Sequence, residues 1–292
     1  MLVLALTGGI AAGKSYFARA LADRGAQIID YDVLARRAVE PGSPALNQII
    51  ETWGSDVLSP SGTLNRQRLA QIVFSSPHDL SKLNAITHPY IGKLAREAEQ
   101  ATYERNPNGV VVHDIPLLKG SDVEMRAHGI VVIDAREEVR VERMIRERSM
   151  SEDDARSRIA RQLPAHELHA SADVIVDNTQ PKDTDAVVSW LWDHWINPFT
   201  KNLACQEKLP YAPASRPDAI KLVANTAHIQ RKLHNLGISC DLAESNTSIL
   251  EPVQPLPTDY KIRLHTAGFV PVGEHFEIAN PANHLSIWLN SK

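Results

Sequence analysis

The stretch that decides the fold reads Gly8-Gly9-Ile10-Ala11-Ala12-Gly13-Lys14-Ser15, and it follows the apolar run at residues 2–7. The stretch fits the pattern G-x-x-x-x-G-K-[ST], with a strand-like segment before it and a helix-forming segment after it. In such a turn successive backbone N–H groups converge on phosphate oxygens, and the positive end of the next helix points at the same anion. The intact motif in this context disfavours a glycine-rich turn that binds nothing. The sequence therefore predicts that residues 8–15 bind a nucleoside triphosphate.

Individual residues of this loop have predicted roles. Gly8 and Gly13 permit a tight backbone turn that Cβ atoms would obstruct. Lys14 is predicted to reach the outer phosphates, and Ser15 to offer its hydroxyl to a magnesium ion.

The composition favours a soluble, intracellular protein. The 292 residues carry a formal net charge of -4, so no general basic field recruits nucleic acid. Cys205 and Cys240 indicate neither a disulfide framework nor a zinc site, and His166 and His169 lack the further ligands of a metal site. The N-terminal apolar run lacks a basic leader, and no segment approaches membrane-spanning length. We expect a cytoplasmic protein with no membrane or nucleic-acid partner.

Apolar runs that recur between helical stretches predict the sheet. They lie at residues 2–7, 26–30, 110–115, 129–134 and 172–177. This alternation predicts an α/β fold, with a five-stranded parallel sheet flanked by helices. Residues 44–54 and 66–105 are predicted to form a helical insertion, which Ser43-Pro44 and Thr87-His88-Pro89 interrupt.

Arginines concentrate between the last two predicted strands. A predicted helix at residues 136–148 carries five of them, and Ser151-Glu152-Asp153-Asp154 resembles a capping box that opens a second helix. Phosphoryl-transfer enzymes place a lid here, where arginines neutralise the transferring group and closure excludes water. We predict a lid at about residues 137–165, and expect most of its arginines to form surface pairs such as Glu142–Arg146.

The character of the sequence changes after Pro198. Prolines at positions 210, 213 and 217 predict a semi-rigid linker at residues 201–217. Beyond it we predict a helix from about Asp218 to Leu236, then two or three short strands and one further helix. Residues 218–292 are therefore predicted to form a small appended α+β domain.

Three aspartates are candidates for the chemistry. Asp32 follows the second predicted strand and is the best candidate for orienting or deprotonating an acceptor hydroxyl. Asp30 is a rival for that role, or a cap for the next helix. Asp114 ends an apolar run and is either a Walker B acid, which holds magnesium through water, or a structural acid.

Three features favour a kinase over a GTPase or a motor protein. The chain has no N-K-x-D segment for reading guanine, it is short, and its arginine-rich helices lie where a lid is expected. Within enzymes, the alternative is a kinase for another nucleoside or small alcohol. The alternative from a different class is a non-catalytic ATP-binding switch whose C-terminal domain binds a protein.

Residues 1–200 resemble dephospho-CoA kinases in several short segments whose order and spacing are together specific. The segments are LTGGIAAGKS at residues 6–15, IDYDVLAR at 29–36, VEPG at 39–42, ITHP at 86–89, IPLL at 115–118, RIARQ at 158–162 and DN at 177–178. The resemblance implies a P-loop kinase with a nucleotide core, a coenzyme A-binding insertion and a lid. It also implies phosphorylation of the ribose 3′-hydroxyl of dephospho-CoA by magnesium-ATP.

The resemblance assigns roles to residues. It implies Asp32 as the base, Lys14 as the phosphate clamp and Arg140 as a residue that stabilises the phosphates. The whole loop, from Gly8 to Ser15, and Asn178 at the adenine end would bind ATP. Residues assigned to the acceptor or to the lid above it are His88, Pro89, Pro116, Leu117, Arg148 and Arg158.

Two segments depart from the family pattern. Lys119-Gly120-Ser121 stands where the family continues with a hydrophobic residue and an acid, and Glu124 is the candidate to replace that acid. Ala11-Ala12 stands where the family prefers glycine or serine, which leaves the loop pattern intact.

Residues 201–292 resemble a shortened GrpB-like, nucleotidyltransferase-type domain. The resemblance rests on AGF at residues 267–269 and NPANHLSI at residues 280–287. The glycine-serine turn and paired acids that nucleotidyl transfer needs are absent. We expect a structural or regulatory appendage, with homo-oligomer formation as one candidate role.

Overall fold

A computed structural model describes residues 1–180, 183–211, 215–243 and 246–288 of the chain. Contacts divide it into two units, Ile29–Arg105 on the one hand and Met1–Ile28 with Asn106–Lys292 on the other. The helical insertion is thus the separate unit, whereas the C-terminal segment shares a unit with the nucleotide core. This division differs from the predicted one at residue 200. The predicted linker residues 212–214, and residues 244–245 and 289–292 of the predicted C-terminal domain, lie outside the described residues.

Six strands form the main sheet. They are β1 (Leu2–Gly8), β2 (Gln27–Asp30), β3 (Val110–Asp114), β4 (Gly129–Asp134), β5 (Val174–Asp177) and β6 (Ile220–Leu222), in the spatial order β2-β3-β1-β4-β5-β6. Strands β3, β1, β4 and β5 pair in parallel, and β6 pairs antiparallel with β5. The five strands predicted from the apolar runs are confirmed, and the C-terminal segment supplies a sixth.

The helices connect and flank these strands. In chain order they are α1 (Lys14–Ala22), α2 (Tyr31–Arg37), α3 (Pro44–Trp53), α4 (Arg66–Phe74), α5 (Pro77–Arg105), α6 (Asp122–Arg126), α7 (Glu137–Arg148), α8 (Glu152–Ala160), α9 (Ala165–His169), α10 (Thr184–Leu191), α11 (Asn197–Cys205), α12 (Thr226–Asn235) and α13 (Tyr260–Thr266). Ser151 caps the start of α8, as predicted, because its hydroxyl accepts the N–H of Asp154 at 3.2 Å. A π-helical turn, Trp192–Ile196, joins α10 to α11.

The insertion unit is helical, as predicted, but one predicted interruption is absent. Helix α5 runs from Pro77 to Arg105 with Pro89 inside it, so Thr87-His88-Pro89 does not end the helix. Ser43 does begin α3, since its hydroxyl accepts the N–H of Leu46. An apolar cluster that includes Ile49 holds the unit together.

Buried strands and helices α10 and α11 form the core of the larger unit. All seven residues of β1 are buried. Trp195 and Phe199 are also fully buried, with their rings edge to face and their centroids 5.6 Å apart. This packing fixes one face of the sheet and leaves the carboxyl ends of the strands for the nucleotide loop.

The C-terminal segment differs from its prediction in two places. Residues 220–222 form β6 and not a helix, because Ile220 is buried in the core and the edge of β5 offers backbone partners. Residues 201–205, assigned to the linker, end the packed helix α11. Both differences depend on tertiary contacts that local propensity does not encode.

A second sheet of five strands, instead of the two or three predicted, completes the segment. It consists of β7 (Cys240–Ala243), β8 (Asn246–Pro252), β9 (Phe269–Val272), β10 (His275–Ile278) and β11 (Ser286–Trp288), in the order β7-β8-β11-β10-β9. Helices α12 and α13 share a buried apolar cluster with it, which includes Leu233 and Leu264.

Buried polar groups join the C-terminal segment to the amino-terminal ends of β4 and β5. The Asp173 carboxylate accepts the N–H of Ile130 at 2.9 Å and the side-chain amide of Asn280 at 3.2 Å. The Lys232 ammonium group donates to the carbonyl of Ala127. Burial raises the pKa of Asp173 to about 6 and lowers that of Lys232 to about 8, and the attraction between the two charges opposes both shifts. The segment is therefore docked on the core.

Candidate active site

The nucleotide loop turns between β1 and α1 at positions where the backbone needs glycine. Gly13 has φ = 102°, in the left-handed region, and a Cβ atom there would lie 2.2 Å from the Asn178 amide nitrogen. At Gly9 a Cβ would lie 2.6 Å from the Arg140 guanidinium. The loop is thus enclosed on two sides by side chains from later segments of the chain.

Lys14 and Asp114 form an ion pair at the base of this loop. The ammonium group at the start of α1 donates to the carboxylate at the end of β3. Register explains the meeting, because Leu6 of β1 lies opposite Asp114 of β3. A carboxylate at this position holds the lysine beside the loop and provides oxygen atoms of the kind that magnesium prefers.

Arg140 reaches from α7 onto the first half of the loop. Its Nε donates to the carbonyl of Ile10 at 2.9 Å, and its Nη2 donates to the side-chain oxygen of Gln162. Burial lowers the pKa of the Arg140 guanidinium, against the attraction of Asp134 and Glu137, and arginine nonetheless keeps its charge. A fixed cation therefore lies over the nucleotide loop.

Arg143 and Asn178 hold the second half of the loop from outside. Nη1 of Arg143 donates to the carbonyls of Ala11 and Ala12 at 3.1 and 3.2 Å, and its Nη2 donates to the Asn178 carbonyl at 2.7 Å. The Asn178 side chain donates to the Ala12 carbonyl at 2.7 Å. Carbonyls that point outward orient the loop backbone for an anion, although the N–H of Ile10 donates to Gln162 and that of Ala12 donates to the Gly9 carbonyl.

The other predicted residues of this unit lie at the surface. Ser15 is exposed beside Lys14, and Pro116 and Leu117 are exposed after β3. Arg148 at the end of α7 and Arg158 on α8 are also exposed. None of the contacts described above includes these five residues.

The insertion unit carries the remaining predicted residues. Asp32 is exposed in the first turn of α2. The Asp30 carboxylate caps the same helix, because it accepts the N–H groups of Asp32 at 2.8 Å and Val33 at 3.1 Å. His88 and Pro89 are exposed on α5. The cap confirms one of the two readings of Asp30.

Comparison with known proteins assigns the family. The model of the dephospho-CoA kinase family matches residues 2–183, more than half of the chain. The chain belongs to the dephospho-CoA kinase family. It is therefore a kinase.

Two curated relatives, both named dephospho-CoA kinase, show how far the similarity extends. The relative from Streptomyces avermitilis is 44% identical over 181 residues, which are 62% of this chain and 87% of the relative. The relative from Mycobacterium tuberculosis is 37% identical over 237 residues, 78% of this chain but only 57% of the relative.

Solved structures agree with this assignment. TT1252 from Thermus thermophilus matches 64% of the chain and 96% of its own length, with a TM-score of 0.55 and 30% identity. A dephospho-CoA kinase from Campylobacter jejuni matches 68% of the chain with a TM-score of 0.51 and 24% identity, which supports the fold alone. The mostly parallel α/β sheet with its nucleotide loop is thus the fold of a P-loop kinase.

The segment that departs from the dephospho-CoA kinase pattern is ordered by its own contacts. Lys119 pairs with Glu167 of α9. The buried Glu124 carboxylate accepts the N–H of Gly120 at 2.7 Å and the Ser171 hydroxyl at 2.6 Å. Glu124 therefore holds the departing loop to the segment before β5.

Sequence reasoning missed several contacts that shape this kinase site. Gln162 and Arg143 both form hydrogen bonds with the loop. In the sequence, Gln162 is only the last residue of a family segment, and Arg143 is only one arginine of an arginine-rich helix. His169, considered from the sequence only as a metal ligand, forms a hydrogen bond with Asp134 at 2.9 Å. A cavity of about 580 Å³ lies between helices α7, α8 and α9 and the ends of β4 and β5, and Arg140, Gln162 and His169 line it. No periodicity or spacing signal marks these pairings.

Within the described residues, no group of three or more His, Cys, Asp or Glu side chains is arranged to hold a metal ion. Among the same residues, no helix combines the length and the apolar character needed to cross a bilayer.

Proposed function

We propose that this kinase transfers the γ-phosphoryl group of ATP to the ribose 3′-hydroxyl of dephospho-CoA, which gives coenzyme A and ADP in the final step of coenzyme A biosynthesis. The observation that carries the proposal is the family match over residues 2–183, which includes the whole nucleotide loop. The geometry is consistent with it, because two cations lie at that loop: Lys14 at its end, paired with Asp114, and Arg140, which donates to the Ile10 carbonyl.

The donor half of the proposed reaction uses residues 8–15 as a cradle. The loop N–H groups and the positive end of α1 hold the β- and γ-phosphates. Lys14 exchanges part of its contact with Asp114 for phosphate oxygens. Arg140 stabilises the charge that builds up on the transferring group, and Asn178 supports the loop beside the adenine end.

Magnesium fits the donor atoms near the loop. The ion prefers a few oxygen ligands from protein, keeps several waters and takes phosphate oxygens for the rest. The Ser15 hydroxyl would hold it directly and the Asp114 carboxylate through water, and both residues lie beside Lys14. The ion would supply positive charge that neutralises the phosphates.

The acceptor half of the proposed reaction needs a general base and groups that bind dephospho-CoA. Asp32 is the proposed general base, and its exposed carboxylate is free to accept a proton from a bound hydroxyl. From the family resemblance we assign acceptor binding to exposed side chains, which are His88 and Pro89 of the insertion unit and, in the larger unit, Pro116, Leu117, Arg148 and Arg158. The arginines would bind the phosphate groups of dephospho-CoA.

An acceptor panel tests this function. Purified full-length enzyme is mixed with magnesium-ATP and, separately, dephospho-CoA, adenosine, a small alcohol or no acceptor, and ADP release is measured. We expect dephospho-CoA to be the only acceptor in this panel that stimulates ADP release. Phosphorus NMR should locate the new phosphate on the 3′-oxygen. Stimulation by another acceptor only would contradict the proposal. Slow hydrolysis that ignores every acceptor would favour a non-catalytic switch.

A cytoplasmic location and homo-oligomer formation through the C-terminal segment are parts of the same proposal. The segment exposes apolar side chains, which include Leu242, Val253, Ile262 and Trp288, and this makes it a candidate surface for self-association. Sedimentation of the full-length chain at several concentrations tests the oligomeric state.

A further inference from the structure

We propose that Gln162 is a positioning residue for Arg140, and that it sets the orientation of the guanidinium over the nucleotide loop. The inference rests on the proposed kinase reaction and adds a residue to it. Gln162 lies just after α8, in the turn that leads to α9. Its side chain is only half-buried, so its position reflects specific hydrogen bonds and not general core packing.

A single oxygen atom joins three segments of the chain here. The Gln162 side-chain oxygen accepts the N–H of Ile10 in the nucleotide loop at 2.9 Å, and it also accepts Nη2 of Arg140 from α7. Nε of the same guanidinium donates to the Ile10 carbonyl at 2.9 Å. Both polar groups of Ile10 and two nitrogens of Arg140 are therefore held in one connected arrangement.

This arrangement restricts a side chain that is otherwise mobile. A free arginine side chain has rotamer entropy to lose when it is fixed. Here the guanidinium is oriented before any ligand arrives, close enough to Gly9 that a Cβ atom there would lie 2.6 Å from Nη2. A pre-oriented cation stabilises developing charge without reorganising at the moment of reaction.

The chemistry of the site requires an amide and not a carboxylate. The amide oxygen of Gln162 accepts two hydrogen bonds and carries no net charge. A glutamate would accept the same bonds but neutralise Arg140 and place a negative charge where phosphates bind. The pair Gln162→Glu and Gln162→Ala therefore separates the geometric role from the electrostatic one.

Apolar contacts indicate that the fold does not depend on Gln162. Val141, Met144 and Ala155 of the lid helices form a buried cluster on which Ile10 and Ala11 pack. These contacts remain when the amide is removed. We expect Gln162→Ala and Gln162→Glu to keep the circular dichroism spectrum and melting temperature of the parent, and Gln254→Glu on an exposed stretch to serve as the matched control.

The first experiment compares turnover with ATP binding. With dephospho-CoA and magnesium-ATP, we expect Gln162→Ala to lower kcat about 10²-fold, the effect of misplacing one reacting or stabilising group. Calorimetric Kd values for magnesium-ATP without acceptor should change less than about threefold, because the loss belongs to the transition state. Gln162→Glu should lose at least as much turnover. Normal turnover in both variants would overturn the inference.

A double-mutant test separates positioning from an independent role. If Gln162 acts through Arg140, adding Gln162→Ala to Arg140→Ala lowers kcat less than about twofold further, because the group it orients is already gone. Multiplied losses would overturn the inference, because they would assign the effect to the Ile10 N–H instead. If dephospho-CoA does not stimulate ADP release by the parent enzyme, the proposed function is wrong. If the parent is active and the Gln162 variants keep its turnover, only this inference is wrong.

Discussion

The carboxylate of Asp114 pairs with the ammonium group of Lys14, and the two side chains are only 8% and 16% exposed. A charge pair at this depth is weakly screened by salt, so each partner strongly influences the other. The pair joins the strand that ends beside the nucleotide loop to the helix that begins after it. Asp114 therefore lies beside the nucleotide loop, and its role in holding magnesium stays a prediction.

Asp114→Asn is expected to lower turnover in two ways: by releasing Lys14 and by weakening magnesium binding. The amide keeps the shape but loses the charge that holds Lys14 and any magnesium-bound water, so we expect kcat to fall about 10²-fold, the scale of one electrostatic stabiliser. The magnesium concentration for half-maximal rate should rise. Asp241→Asn, on exposed strand β7, is the control. An unchanged magnesium dependence would argue for a purely structural acid.

Asp32→Asn and Asp30→Asn separate the base from the cap. Loss of the Asp32 carboxylate should lower kcat about 10²–10⁴-fold, the range of general-base catalysis. At Asp30 the amide keeps the oxygen that accepts the N–H groups of Asp32 and Val33, so turnover should stay near normal. Asp30→Ala removes the cap, so its free energy of unfolding in urea should be about 1 kcal/mol lower than that of the parent. Loss of turnover in Asp30→Asn alone would reverse the assignment of the base.

Local patterns were sufficient for the nucleotide core. The loop motif, the apolar runs and the Ser151 cap each depend on residues close in sequence, and each predicted element is present. Pro89 shows where a local rule fails, because α5 continues through a residue that lacks an N–H donor.

Long-range contacts explain what sequence reasoning missed. Gln162 and Ile10 are 152 residues apart, and no motif relates them. Strand β6 forms because β5 has an unpaired edge beside it. The residue types at 220–222 alone do not predict this pairing. Long-range contacts therefore fix the position of Gln162 against the nucleotide loop and the docking of the C-terminal segment on the core.

Lys232→Met tests the docked C-terminal segment. The change removes the buried ammonium group that donates to the Ala127 carbonyl and attracts the Asp173 carboxylate, and leaving a buried polar group without its partner costs about 1–3 kcal/mol in unfolding free energy. The exposed Lys221→Met on β6 is the matched control and should be near neutral. The double variant Lys232→Met/Asp173→Asn should recover much of the loss, because no unpaired charge remains.

Catalysis should be largely spared in Lys232→Met at low temperature. The junction lies at the amino-terminal ends of β4 and β5, whereas the nucleotide loop follows the carboxyl end of β1. If Lys232→Met keeps the parent stability, the two charges are not coupled. If Lys232→Met folds but loses turnover, the segment belongs to the active unit. Either result would contradict this account.

Two histidines beside this junction, the buried His228 and the half-buried His128, make stability depend on pH. Burial lowers the pKa of His228 to about 4, with Lys232 and Arg231 adding to the shift and Glu124 opposing it. Burial also lowers the pKa of His128 well below its usual value, and Lys232 again adds to the shift. Each ring is therefore neutral in the folded chain at neutral pH.

Acid is expected to destabilise the fold. Below pH 6.5 the unfolded chain binds a proton on each histidine that the folded chain does not, so stability falls by about 1.4 kcal/mol per pH unit per histidine. Asp173 acts in the opposite direction, because its folded pKa of about 6 lies above the unfolded value, and it offsets one histidine below that pH. The net slope below pH 6 is then about 1.4 kcal/mol per pH unit.

Urea unfolding at about pH 7, 6 and 5 measures this slope. His228→Gln cannot bind the extra proton when unfolded, so we expect its free energy of unfolding to vary less with pH than that of the parent. His234→Gln changes an exposed ring on the same helix and should keep the parent slope. A parent whose stability is constant or rises from pH 7 to pH 5 would show that the buried rings are not neutral in the folded chain. Equal slopes in parent and His228→Gln would assign the effect to His128 instead.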